Sequence, residues 1–100
     1  MTPIVKLLRA AEWAQFQATR VFAGSADDLR DGYIHISTPE QAPGTLAKWF
    51  AGEAGVVALT LDADALGPAL KWEESRGGQL FPHLYRNLLL SDIMQISQIN

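Results

Sequence analysis

The chain has 100 residues and a formal net charge of −3, with 48% hydrophobic and 19% charged residues. These values are typical of a folded soluble domain, so residues 1–100 are predicted to form one domain, and they exclude a disordered chain. Because the sequence contains no cysteine, it excludes a disulfide framework, a thiolate metal site and a cysteine nucleophile.

The first predicted elements are a strand and a helix. IVKLL (residues 4–8) is rich in branched apolar residues, which is typical of a strand. RAAEWAQFQAT (residues 9–19) then changes period: Trp13 and Phe16 recur at helical spacing and give the predicted helix one apolar side. The pair Val21–Phe22 predicts a short packed segment.

A capping pattern and an alternating strand come next. SADDLRDG predicts one short helical turn, with Ser25 as its N-cap and Asp28 completing a capping box. YIHIS (residues 33–37) alternates in the way of a half-buried strand. Its isoleucines are expected to face the core, so His35 and Ser37 should project together from the opposite face.

A second helix is predicted after this strand, with two alternative starts. Thr38 as N-cap, Pro39 at the first helical position and Gln41 three residues after the cap favour an early start. Pro43 favours a later one, because a proline inside a helix costs a backbone hydrogen bond. The helix is expected to end near Phe50 and to bury Leu46, Trp49 and Phe50.

The C-terminal half predicts strands and one helical turn. The strands are GVVALTLD, LKWEE, LFPHLY, LLL and IMQISQI, and DADALG is a turn between Asp62 and Gly67. Within LFPHLY, alternation places Phe81, His83 and Tyr85 on one face and Leu84 on the other. The order predicts an α+β fold with a small, mostly antiparallel, split sheet and two main helices.

The segment DGYIHIST is the first candidate site. His35 and Ser37 would offer an imidazole and a hydroxyl to one ligand, and the helix start after Thr38 would favour an anion or a carbonyl oxygen. The alternative is structural: His35 donates to a backbone carbonyl, and Ser37 or Thr38 only caps the helix. The pattern is compatible with both interpretations.

The segment KWEESRGGQLFPHLYR is the second candidate site. Arginine forks bind phosphate in bidentate fashion, a tyrosine ring stacks on planar groups, and a glutamate serves as a general base or orients a ribose hydroxyl. The residues concerned are Lys71, Glu73, Glu74, Arg76, Tyr85 and Arg86. The alternative is a surface hairpin with a solvated loop. No metal is expected, because no spacing enforces a site from the two histidines and Glu73.

DGYIHISTPEQ, VVALTLD, LGPALKWEESRGGQLFPHLY and LLLSDI together resemble the bacterial family called domain of unknown function 952. The resemblance covers nearly the whole chain. That family is similar to the ADP-ribosyltransferase catalytic fold, so the resemblance implies a reduced form of this fold and NAD as the candidate cofactor.

The resemblance also implies roles for particular residues. In the superfamily, a His-x-Ser/Thr element on a strand contacts the nicotinamide-ribose part of NAD, which implies this role for His35 and Ser37. Ile36 stands where the poly-ADP-ribose-polymerase-like members have glycine, and only Asp92 is acidic after Glu74, whereas their catalytic glutamate comes late. The RNA 2′-phosphotransferases use NAD with arginine and histidine, a chemistry that suits Arg76, His83 and Arg86.

We therefore expect a cleft between YIHIS and FPHLY that binds NAD or an ADP-ribose-like nucleotide, with transferase or phosphotransferase chemistry. The catalytic candidates are His83, Glu73 and His35, and the ligand-binding candidates are His35, Ser37, Thr38, Arg76, Tyr85 and Arg86. One alternative is a non-enzymatic nucleotide-binding module that uses the same cleft. The other is an interaction domain whose motifs serve only the fold.

The expected partner is a small-molecule nucleotide. The eight lysines and arginines form no basic stripe, so duplex nucleic acid is not expected. No apolar run approaches the roughly 20 residues that cross a bilayer, and the N-terminal segment does not resemble a secretory signal. These features predict a cytoplasmic protein with no membrane partner, and they predict nothing about a protein partner.

Overall fold

The computed structural model describes residues 1–99, except for the side chain of Arg76. In chain order the elements are β1 (Pro3–Leu8), α1 (Ala10–Thr19), β2 (Val21–Phe22), α2 (Ala26–Asp31), β3 (Ile34–His35), α3 (Ala42–Trp49), β4 (Val57–Asp62), α4 (Ala63–Leu66), β5 (Leu70–Glu74), β6 (Leu80–Leu84), β7 (Leu88–Leu89) and β8 (Ile93–Gln98). Short 3-10 turns at Gly67–Ala69, Arg76–Gly78 and Leu90–Asp92 connect the later strands. The predicted α+β class is confirmed.

The strands pair in three small antiparallel sheets. Their orders are β1-β4-β8, β2-β7 and β3-β6-β5. A backbone bridge links the first sheet to the chain just after β3, because the N–H groups of Val5 and Ser37 each donate to the other residue's carbonyl, at 2.7 and 2.9 Å. The predicted antiparallel pairing is confirmed, and the bridge holds β1 beside the histidine-bearing strand.

The main core lies against one face of these sheets. In β4 every second residue is buried, and the isoleucines of the YIHIS segment belong to the same core. Phe16 of α1 joins it by stacking on Phe22 at a centroid distance of 5.6 Å. Each such side chain stabilises the fold by about 1.5–3 kcal/mol through burial. With Ile34 and Ile36 buried, His35 turns to the opposite face, as predicted.

The short helix α2 has the predicted capping box. The Asp28 N–H donates to Ser25 Oγ at 3.2 Å, and the Ser25 N–H donates to Asp28 Oδ2 at 2.9 Å. Gly24 precedes the cap with φ of +134°, and a Cβ there would lie 2.7 Å from the Cβ of Asp28. Glycine is therefore required where the chain enters α2.

Helix α3 begins close to the later of its two predicted starts. Its first residue is Ala42, and Pro43 lies in the first turn, where the missing N–H costs no helical bond. Thr38 and Gln41 close a separate turn before it: the Gln41 N–H donates to Thr38 Oγ1 at 3.1 Å, and the Thr38 N–H donates to Gln41 Oε1 at 3.0 Å.

The prediction that Trp49 is buried was wrong. Phe50 and Leu46 pack with Leu7 and Val56 in a second, smaller core, whereas Trp49 is 50% exposed. Adjacent residues near a helix end project in different directions, so a helix that buries Phe50 turns Trp49 outward. Trp49 instead lines the cleft described below.

Candidate functional site

His35 and His83 are direct cross-strand neighbours. They pair in the antiparallel register of β3 and β6, beside the core pair Ile34 and Leu84. Opposed residues of two strands share a face, so both imidazoles lie on the side away from the main core. Their ring centroids are 5.7 Å apart and their planes meet at 69°. Two separate sequence segments thus contribute to one site.

Two tyrosines extend this pair. The Tyr33 ring stacks on His83 with a centroid distance of 4.0 Å and lies 4.6 Å from His35 and 5.3 Å from Tyr85. We call Tyr33, His35, His83 and Tyr85 the ring cluster. Lys71 Nζ lies 5.3 Å from the centroid of the Tyr85 ring, within cation–π range. The ring cluster therefore combines the aromatic surface of two tyrosines with two imidazoles.

His35 lies between two carboxylates. Its Nδ1 is 2.6 Å from Asp28 Oδ1, and its Nε2 is 3.0 Å from Asp31 Oδ2. A neutral imidazole carries one N–H, so only the protonated imidazolium donates to both partners at once. The backbone N–H of His35 also donates to Asp28 Oδ1, at 3.0 Å. The last residues of α2 and its buried acid thereby fix both the ring and the strand that carries it.

Asp28 is a buried carboxylate with a complete set of partners. It is 2% exposed and also accepts from Lys6 Nζ at 2.9 Å. Burial by itself raises the pKa of Asp28, but the hydrogen bonds from His35 and the charge of Lys6 outweigh it and hold this pKa well below its usual range. Lys6 donates a second bond to the carbonyl of His35 at 2.8 Å. Both charges therefore serve to position β3.

His83 is oriented by a carboxylate of its own. Its Nδ1 lies 2.8 Å from Glu73 Oε1, which also accepts from the Tyr85 hydroxyl at 2.6 Å. The bond from Tyr85, and then that from His83, lowers the pKa of Glu73, and the same carboxylate raises the pKa of Tyr85 to about 12. Since Nδ1 is the natural donor to Glu73, Nε2 is left as an acceptor. No described residue is hydrogen-bonded to this Nε2.

A cleft of about 260 Å³ opens beside the two histidines. Residues of β1, α2, the YIHIS segment and α3 line it, including Ser37, whose Oγ is 3.0 Å from Thr45 Oγ1. Its described charged lining comprises three cations and four carboxylates: Lys6, Arg9, Arg30, Glu12, Asp27, Asp28 and Asp31. With neutral histidines, the formal net charge of these groups is minus one. One proton on each histidine would change this net charge to plus one.

The predicted site residues fall into two groups. Three of them line the cleft together: His35, Ser37 and His83. Glu73 and Tyr85 reach it through His83 and the ring cluster rather than by lining it. The pairing of β3, β6 and β5 brings His35, His83 and Glu73 together, while Ser37 is held by its bridge to Val5 and Tyr85 by its bond to Glu73. Their roles toward a ligand stay predictions.

The other predicted site residues lie apart from this group. Thr38 closes the turn before α3 with Gln41. Arg86 forms a two-pronged ion pair with Asp92, at 2.9 and 3.1 Å, and is not among the residues that line the cleft. The side chain of Arg76 lies outside the described part of the chain.

Several site residues were not predicted from the sequence. Tyr33 shares the face of His35 by alternation, which was a usable signal. Lys6 inside an apolar strand was another, because a buried lysine requires an anionic partner. Asp28 was recognised only as a capping residue, and nothing local showed that it also binds His35 and Lys6.

In the described part of the chain no three side chains of His, Cys, Asp or Glu form a group that could hold a metal ion. No helix within residues 1–99 is long and apolar enough to cross a membrane.

The chain belongs to the family described as Protein of unknown function (DUF952), whose model matches residues 7–96. It is similar to protein CC0527 from Caulobacter crescentus. The X-ray structure of that protein has 52% sequence identity and a TM-score of 0.96, and the match covers 99% of this chain and 87% of that one. Its solution NMR structure matches with 52% identity and a TM-score of 0.88, over 100% and 86% of the two chains. No curated protein matches.

Proposed function

We propose that this protein binds NAD or an ADP-ribose-like nucleotide in the cleft beside the ring cluster. The observation that supports the proposal is the meeting of His35 and His83 in one cleft, with Tyr33 stacked on His83 and tilted against His35. A nucleotide combines a planar base, ribose hydroxyls and phosphate. Aromatic rings recognise the base, carboxylate and hydroxyl groups recognise the ribose, and arginine side chains recognise the phosphate.

The ring cluster suits the planar group of the ligand. Stacking of a base on an aromatic side chain contributes about 1–3 kcal/mol, and the half-exposed Tyr85 and the neighbouring Tyr33 offer such rings. Ser37 and Thr45 are candidates for the ribose hydroxyls, because both residues line the cleft, where their own hydroxyls lie 3.0 Å apart.

The volume of the cleft restricts how much of a dinucleotide enters. Pockets for drug-sized ligands span roughly 300–1,000 Å³, and this cleft has about 260 Å³. We expect the nicotinamide-ribose end to enter and the adenosine end to stay at the rim. The pyrophosphate would then meet Arg9 or Arg30, which line the cleft, while Arg86 stays with Asp92.

A transferase reaction is the catalytic form of this proposal, in keeping with a reduced ADP-ribosyltransferase-like fold. The bond between nicotinamide and the ribose breaks, nicotinamide leaves with the electron pair, and an acceptor oxygen bonds to the ribose carbon. His83, oriented by Glu73, would take the proton of the acceptor. The positive charge that develops on the ribose would be stabilised by a nearby carboxylate such as Asp31.

The test is ligand binding followed by turnover. Amide chemical shifts and melting temperature are measured with millimolar NAD, ADP-ribose and nicotinamide, and we expect shifts at residues 33–37 and 81–85. Tyr33→Leu should weaken binding, whereas Glu40→Ala, at an exposed position away from the cleft lining, should not. Release of free nicotinamide separates an enzyme from a binding module. No response to any of the three ligands would contradict the proposal.

A further inference from the structure

We infer that His83 and His35 form a general base and a general acid for displacement at phosphorus, and that the substrate class is a small nucleotide phosphodiester. This is a second use of the cleft, and it rests on the proposed function in one respect: a nucleotide must bind there. The inference rests on the unequal surroundings of the two imidazoles.

The surroundings assign one role to each ring. His35 faces a carboxylate at both nitrogens, Asp28 at 2.6 Å and Asp31 at 3.0 Å, so each ring nitrogen has an acceptor for an N–H group, and we assign the role of acid to this ring. His83 faces one carboxylate, Glu73, at Nδ1. Its Nε2, with no hydrogen-bond partner among the described residues, is the base.

Transfer from NAD uses only half of this arrangement. Nicotinamide leaves as a neutral molecule and needs no proton, so that reaction requires a base and a carboxylate but no general acid, and it gives His35 no role. Displacement at a phosphodiester requires both groups, because the nucleophile loses a proton on one side of phosphorus while the leaving oxygen gains one on the other. The ring centroids of the two imidazoles are 5.7 Å apart, a distance at which both can contact one phosphodiester group.

The position beside His35 Nε2 already accommodates an anionic oxygen. Asp31 Oδ2 occupies it, and this side chain is partly exposed and is also held by Arg30 at 3.1 Å. A phosphodiester oxygen that displaced Asp31 would meet the same N–H group.

The volume of about 260 Å³ favours a compact substrate such as a nucleoside 2′,3′-cyclic phosphate. In the reaction, His83 Nε2 takes a proton from water while the water oxygen bonds to phosphorus. The bond from phosphorus to one ribose oxygen breaks, and that oxygen takes a proton from His35 Nε2. The product is a nucleoside monophosphate, and the two imidazoles return to their starting forms by proton exchange with solvent.

The experiment incubates the purified protein with 2′,3′-cyclic AMP or 3′,5′-cyclic AMP and follows the products by phosphorus NMR. We expect hydrolysis of the 2′,3′ compound, a loss of about 10²-fold or more in His83→Gln and in His35→Gln, and full activity in Glu40→Ala. Because His35→Gln disturbs the contacts of buried Asp28, circular dichroism must show that this variant is folded.

A variant at the exposed side of the site provides a second measurement. Asp31→Asn removes the carboxylate that competes for His35 Nε2, so KM for the cyclic nucleotide should fall. Nucleotide binding without turnover, or turnover that survives His83→Gln, would overturn the inference and leave the proposed binding function intact. Hydrolysis without any binding of NAD or ADP-ribose would support the inference and contradict the proposed binding function. An unchanged or higher KM in Asp31→Asn also contradicts the inference.

Discussion

The carboxylate of Asp28 and the ammonium group of Lys6 form an ion pair of 2.9 Å inside the protein, where the two residues are 2% and 5% exposed. Asp28 accepts bonds from His35 and Ser25 as well, so one buried acid joins β1, β3 and the cap of α2. Removing its charge leaves Lys6 buried without an anion, and such losses cost about 3–5 kcal/mol. We expect Asp28→Asn to lower the free energy of unfolding by this amount, measured by urea denaturation.

Asp27 provides the matched control. It lies in the same helix and its side chain is half-exposed, where it pairs with Arg30 at 2.9 Å. The same substitution, Asp27→Asn, should change the free energy of unfolding by no more than about 0.5 kcal/mol. Equal decreases in the free energy of unfolding in the two variants would show that the buried ion pair contributes no more to stability than the exposed one.

The same carboxylate predicts how stability depends on pH. The pKa of Asp28 lies below its usual range in the folded state, so its contribution is complete above the unfolded pKa of about 3.9 and is lost as pH falls toward the folded value. Below pH 4 the difference in the free energy of unfolding between the wild type and Asp28→Asn should shrink by about 1.4 kcal/mol per pH unit. Urea denaturation of both proteins at pH 6, 4 and 3 measures this difference, and a constant difference would refute it.

Tyr85 and Glu73 share a hydrogen bond whose effects are measurable on both groups. The bond raises the pKa of Tyr85 to about 12 and is the main cause of the lowered pKa of Glu73. Tyr85→Phe should therefore raise the pKa of Glu73 toward its ordinary value, as followed by carbon NMR of the carboxyl group. Tyr33→Phe keeps this bond and should leave the pKa of Glu73 in place. Ultraviolet titration should lose its ionisation near pH 12 in Tyr85→Phe only.

Arg86 and Asp92 are expected to stabilise the fold as a pair. Two parallel bonds join them, and Asp92 also accepts from the Leu89 N–H at 2.8 Å. A double-mutant cycle with Arg86→Ala and Asp92→Ala should give a coupling free energy of about 1 kcal/mol. Arg86→Lys keeps the positive charge but cannot form the two parallel hydrogen bonds, so it should retain less than half of the coupling free energy. Additive single losses would mean that the pair contributes nothing to stability.

The sequence predicted much of the local structure because local patterns determine it. Alternation in YIHIS and LFPHLY assigned His35 and His83 to the faces that they occupy, and Ser25 with Asp28 predicted the cap of α2. The pairing of β3 with β6 could not be predicted in the same way. β3 has two residues, and its partner lies nearly fifty positions away, so its register depends on tertiary packing.

The same limit applies to the candidate site. Its two histidines were predicted from separate motifs, but their carboxylate partners were not all identified, since Asp28 and Asp31 reach His35 only after α2 has folded beside β3. Arg86 was predicted to bind a ligand from its residue type. Its pairing with Asp92 depends on the turn at Leu90–Asp92, which no spacing rule predicts.

The bond from the His35 backbone N–H to Asp28 makes the amide of His35 a natural reporter of site integrity. The proton of this amide exchanges with solvent when that contact opens, and the capping box ties Asp28 to the first turn of α2. Its exchange rate should therefore follow the local unfolding of α2. A ligand that stabilises the closed contact at the cleft would slow the exchange of this amide proton, even where the melting temperature of the whole protein hardly changes.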